Sequence, residues 1–139
     1  MNSETTSNAG FMLLFRGTGW HKDLSPEQIQ TVMTQWSAWF NRLTAEGILK
    51  AGQPLESESK LVVGKGRTVS DGPFVESKEA IGGYFLLDVH TFDEAVAIAQ
   101  ECPALDRGIT VEVRPIGQQC PYTKHLESTS ARELVAAEA

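Results

Sequence analysis

The residues best equipped for chemistry fall in one stretch, Val69-Ser70-Asp71-Gly72-Pro73-Phe74-Val75-Glu76-Ser77-Lys78. Asp-Gly-Pro is turn chemistry. Asp71 can bond its own backbone, Gly72 can take a positive φ, and Pro73 fixes its own φ while pushing Gly72 out of the α region. Phe74 supplies the apolar weight that pins such a turn to a core. A loop held in this way presents Asp71, Glu76 and Lys78 from a rigid support. A carboxyl half-buried by Phe74 and a tryptophan can move protons near neutral pH, so Asp71 and Glu76 are catalytic candidates. His21, beside Trp20, is the third, since histidine does this work with little tuning. Arg16, with Arg114 as a second option, could hold an anionic substrate or an enolate-like charge. Trp36, Phe74 and Lys78 complete the substrate-binding set. Each of these residues also has a plainer role. Asp71 can be a corner and nothing more. Glu76 and Lys78 can be solvated charges, His21 a loop residue, and Arg16 the ion-pair partner of Glu112 or Asp88. The tryptophans can be core.

Other chemistries find little footing. His21, His90 and His125 have no partner at i,i+4 and form no H-x-H, so a metal site is not expected. Gly64-Lys65-Gly66 is too short for a phosphate-binding loop. There is no G-x-S-x-G, and Cys102 and Cys120 form no C-x-x-C and no evident Cys–His pair. No cofactor is expected. The net charge of −6 argues against sequence-independent binding to nucleic acid. Phe11–Phe15, the longest apolar run, is too short to span a membrane. Met1–Gly10 has neither the basic nor the apolar segment of a signal peptide, so a cytoplasmic protein is expected. With 139 residues, 41% of them hydrophobic, one domain with a proper core is expected.

The elements that must position these side chains can be read in order. Residues 1–10 are expected to be a disordered tail. Phe11–Gly17 reads as a strand that is apolar on both faces, and such strands need cover on both. Helices on one side and a second sheet on the other are the simplest cover, so the chain is expected to pair with a copy of itself. Ser25-Pro26-Glu27-Gln28 opens a helix with a capping box and a proline at its first position. The helix should reach about Glu46 and stop at Gly47. Its stripe is Ile29, Val32, Met33, Trp36, Trp39, Phe40 and Leu43, with Trp36 near the centre and Trp39 at the edge. One of the two tryptophans could instead wall a ligand pocket. Ile48–Leu55 reads as an edge strand ending at Pro54. Lys60–Val63 and Arg67–Val69 flank a glycine-rich turn and form a hairpin. Gly82–Val89 is the next strand, and its paired glycines allow close approach of a backbone or a ligand. Thr91-Phe92-Asp93-Glu94 is a second capping box, and Cys102 reads as a small buried hydrophobe. Ile109–Ile116 is the last strand, and 117–139 is a C-terminal extension. The fold class that follows is α+β, a ferredoxin-like βαββαβ with an antiparallel sheet and an extra hairpin.

Several blocks together resemble the YCII-related DGPF-domain family. They are Asp71-Gly72-Pro73-Phe74 with Glu76 and Lys78, Gly82 through Val89, Phe92-Asp93-Glu94-Ala95, Cys102-Pro103, Val111 through Pro115, and Phe11 through Leu14. The resemblance covers roughly residues 11 to 116. It implies a ferredoxin-like unit that dimerises into an α+β barrel. In its wider circle it implies small enzymes with a His–Asp pair, but this chain has no such pair at a matching position and none is carried over. Two functions are expected from all of this. One is a small cofactor-independent enzyme doing general acid/base chemistry on a small molecule. The other is a non-catalytic binding or regulatory module. The resemblance to proteins encoded beside or fused to alternative sigma factors makes a sigma factor the partner for that second function.

Overall fold

The structure is a computed structural model that describes residues 8–72, 80–118, 120, 122 and 123. The elements run β1 (Asn8–Arg16), α1 (Pro26–Ala45), β2 (Leu49–Pro54), β3 (Lys60–Val63), β4 (Thr68–Asp71), β5 (Ile81–Leu87), α2 (Phe92–Ala99), a single 3-10 turn (Leu105–Arg107) and β6 (Thr110–Gly117). β2-β5-β1-β6 form a four-stranded sheet, and β3 and β4 form a separate two-stranded ribbon. Every neighbouring pair is antiparallel. This is the ferredoxin-like order, with the ribbon inserted between the second and third strands of the basic unit.

β1 lies at the centre because its Phe11–Phe15 run is apolar on both faces. Phe11, Leu13 and Phe15 are buried under the helices with Phe85 and Leu87 of β5, whereas Met12 and Leu14 are half-buried on the other face. β1 begins at Asn8, three residues before the expected strand, and Asn8 pairs with Gly117 across an irregular stretch that ends at Phe11. The expected tail is shorter to that extent, because backbone pairing with β6 extends the strand beyond its apolar text.

Both helices start as their sequences dictate. Gln28 donates its backbone N–H to Ser25 Oγ at 3.1 Å, and the Gln28 side chain accepts from Ser25 N–H at 2.8 Å. α1 ends where Gly47 takes φ 77°, a left-handed conformation that glycine adopts without penalty. Val32, Trp39 and Leu43 form its buried line. This reverses the expected order of the tryptophans: Trp39 is buried and Trp36 only half-buried. The cause is local. Trp39 Nε1 donates to Glu101 Oε1 at 3.0 Å, just past the end of α2, and Arg42 donates to the same oxygen. The carboxylate thus draws the Trp39 edge of α1 onto the core.

The second capping box has a testable electrostatic consequence. Glu94 Oε1 accepts from His90 N–H at 2.9 Å and from Thr91 N–H at 3.0 Å. The His90 bond chiefly holds the Glu94 carboxyl below its ordinary value, assisted by Thr91 and opposed by desolvation. A lowered folded-state value means that the ionised group stabilises the fold above the unfolded-state value. That contribution is lost as pH falls through the folded-state value. Glu94→Gln keeps the box without the charge. It is expected to be less stable than the wild type near neutral pH, with the gap closing below about pH 4. Urea unfolding at both pH values checks this, and a gap independent of pH would refute it.

Cys102 is buried, and desolvation pushes its thiol up to about 11. It behaves as the small hydrophobe expected of it.

Candidate functional site

A cleft of about 780 Å3 opens between α1 and one end of the sheet. Phe15, Trp36, Phe40 and Phe85 supply apolar walls, with Met33 on α1 and Trp20 and His21 from the loop after β1. The walls are mutually braced: the Phe15 ring meets Trp36 at 5.0 Å and Phe85 at 4.9 Å between centroids, each edge to face. Gly52, Gly82 and Gly83 also line the cleft, where side chains would otherwise project. A Cβ on Gly83 would come to 3.0 Å from the Gln53 carbonyl oxygen, a tight contact, so close pairing of β2 and β5 favours glycine there. The expected close approach at the glycine pair is thus met by backbone.

Thr18, Ser37, Asn41 and Ser57 add neutral polar groups to the lining, and the directly paired Gln53 and Tyr84 border it. Among the described residues the lining contains no carboxylate, lysine or arginine. His21 supplies its imidazole, with the ring 5.8 Å from Trp20.

The structure brings His21 and Trp36 together in this cleft and places two other candidates elsewhere. Asp71 closes β4 on the outlying ribbon, with its side chain 86% exposed and held by Lys60 Nζ at 2.7 Å. Half-burial, the condition for its proton chemistry, is not met by the described residues. Arg16 lies on the opposite face of the sheet, where Nε and Nη2 donate to Glu112 Oε1 at 2.8 and 2.6 Å. This is the ion pair that the sequence offered as its plainer role. Arg114 lies on the same strand as Glu112, with Nη1 3.7 Å from its other oxygen. Phe74, Glu76 and Lys78 lie outside the described residues.

Sequence reasoning missed Ser37, Asn41 and Gln53. A signal for the first two was present: Met33, Ser37 and Asn41 stand at i, i+4 and i+8, so they form one line beside the aromatic stripe. Gln53, between Gly52 and Pro54 on an edge strand, carried no such signal.

The family profile described as the YCII-related domain matches residues 11–118. The chain belongs to the YCII-related family. Nothing among curated proteins matches it. Among solved structures, it is similar to a 5-chloro-2-hydroxyhydroquinone dehydrochlorinase from Burkholderia phenoliruptrix in complex with 2,5-dihydroxybenzoquinone. The identity is 16% and the TM-score 0.38, over 75% of this chain and 90% of that one. That likeness is too distant to bear on chemistry. In this YCII-related chain, no helix among the described residues is long and apolar enough to cross a membrane.

Proposed function

We propose that this YCII-related protein binds an uncharged, planar aromatic molecule in the cleft and that His21 moves a proton on it, as a small enzyme without a cofactor. The observation that carries the reading is the composition of the lining: aromatic walls, a few neutral polar groups and one imidazole. Aromatic faces and edges stack on a flat ring. Ser37 and Asn41 can orient hydroxyl or carbonyl substituents without charge. An imidazole nitrogen can take a proton from a bound hydroxyl or activated C–H group and return it elsewhere on the same molecule. The proposed chemistry uses neither Asp71 nor Arg16.

We further propose a homodimer. Met12, Leu14, Tyr84 and Leu86 form a half-buried apolar row on the sheet face away from the helices, flanked by the Arg16–Glu112 pair. A second copy laid on this face would give the sheet the cover that its apolar text requires.

Isothermal titration calorimetry with phenol, indole and benzoate tests the site. At about pH 8 the two uncharged rings are expected to bind and benzoate to bind at least about tenfold more weakly, since its carboxylate would be desolvated without a lysine or arginine in the lining. Equal affinity for benzoate, or no heat from either neutral ring at millimolar concentration, would sink the reading. Once a substrate is found among such rings, His21→Gln is expected to lower turnover by about 10²–10⁴-fold while leaving ring affinity within about threefold. Binding without turnover of any related ring would favour the non-catalytic module.

A further inference from the structure

The β3–β4 ribbon belongs neither to the sheet nor to the core. Both of its four-residue strands are exposed throughout, yet they carry Leu61, Val62, Val63 and Val69, at 44, 65, 55 and 60% exposure. The pairing register sets Val62 opposite Val69 on one face. Leu61 and Val63 project from the other, so both faces are apolar. A two-stranded ribbon is marginal in water without cover, and exposed branched residues make cover more pressing. The described residues of its own chain leave it bare.

Charge narrows what could cover it. The ribbon carries Lys60, Lys65 and Arg67 against the single carboxylate of Asp71, which Lys60 already engages at 2.7 Å. Its tip is therefore cationic, while the chain as a whole has a net charge of −6. Nucleic acid or an anionic membrane would attract the tip and repel the rest. An acidic surface of modest size that meets the ribbon at equal concentration is the body of another copy.

We propose that the ribbon is an arm that docks on a second copy of this chain, with its valines against that copy's surface and Lys65 and Arg67 against its carboxylates. The arm is rooted at the cleft. Leu55 and Ser57, which lead into it, line the opening, and Leu55 N–H donates to the Gly82 carbonyl at 2.9 Å. The receiving copy therefore lies close to the mouth of the donor's cleft. Two-fold symmetry makes the exchange reciprocal. The inference takes its second copy from the homodimer proposed above but does not require a particular ligand.

Trypsin reads the arm and light scattering reads the pair. In a wild-type dimer, cleavage after Lys65 and Arg67 is expected to be at least about tenfold slower than in the Val62→Asp, Val69→Asp double variant, because docked backbone is cut only after local opening. Separating the copies with Leu14→Glu and Leu86→Glu should bring the fast cleavage back while circular dichroism stays native. Fast cleavage in a wild-type dimer would overturn the arm and leave the pairing intact. Slow cleavage that persists in the separated copies would place the ribbon on its own body and overturn the arm as well. A wild-type monomer at all concentrations would overturn the pairing, and the arm with it.

Discussion

Phe85→Ala is expected to cost the fold about 3–5 kcal/mol, the range for truncating a buried aromatic that leaves a cavity. Phe85 is 4% exposed and sits where the core and the cleft meet. Its ring lies 4.9 Å from Phe15, 5.1 Å from Trp39, 5.7 Å from Phe40 and 6.4 Å from Trp36, centroid to centroid. On its remaining side it lies over the β2 backbone, where a Cβ on Gly52 would come within 2.7 Å of its Cδ1. A hole at this point removes contacts from α1, β1 and β2 together, and glycine cannot grow into it. For a chain of this size the melting temperature should fall by roughly 10–20 °C. Urea unfolding gives the free energy directly. A loss under about 1 kcal/mol would show that the cluster collapses around the gap and that Phe85 does not organise it.

The second large effect is on assembly. Leu14→Glu together with Leu86→Glu should change a particle of twice 15.2 kDa into one of 15.2 kDa by light scattering. The two leucines lie on the sheet face away from the helices, with Leu14 opposite Tyr84 and Leu86 opposite Met12. If a second copy covers that face, each pair would have to bury four unpaired carboxylates. The effective cost of several kcal/mol per ion weakens association by at least about 10³-fold. Both positions are only half-buried within a single chain, so the separated copy should keep its fold at a cost of about 1–2 kcal/mol. A wild-type chain that scatters as 15.2 kDa at micromolar concentration would refute the pairing outright.

Much of the architecture was legible because its signals are local. The two capping boxes, the glycine that ends α1, the two-faced apolar text of β1 and the turn inside the ribbon each depend on a few adjacent residues. Together they give the ferredoxin-like order. Within the ribbon's turn Gly64 takes φ 75° as glycine can, and a second positive φ, 53°, falls on Arg67. The site was less legible because it depends on contacts between distant segments. Helical spacing placed Trp36 and Trp39 on one stripe. Only the carboxylate of Glu101, 62 positions from Trp39, decides which of the two goes inside. Asp71 looked like a site residue because its neighbours form a turn, and turn chemistry says nothing about burial. Whether Asp71 faced a pocket depended on where the ribbon stood, and that ribbon is exposed along both strands. His21 and Trp36 come to the same cleft although they stand 15 positions apart, across loop and helix.

The chain has three tryptophans, and the fold divides them by task. Trp20 and Trp36 line the opening, while Trp39 is sealed in the interior with its indole nitrogen tied to Glu101. The protein therefore contains its own optical gauges. Emission from the first two can be quenched by whatever enters the cleft, and the wavelength of the third shifts when the interior becomes wet. A single spectrum can thus separate a guest arriving from a fold coming apart.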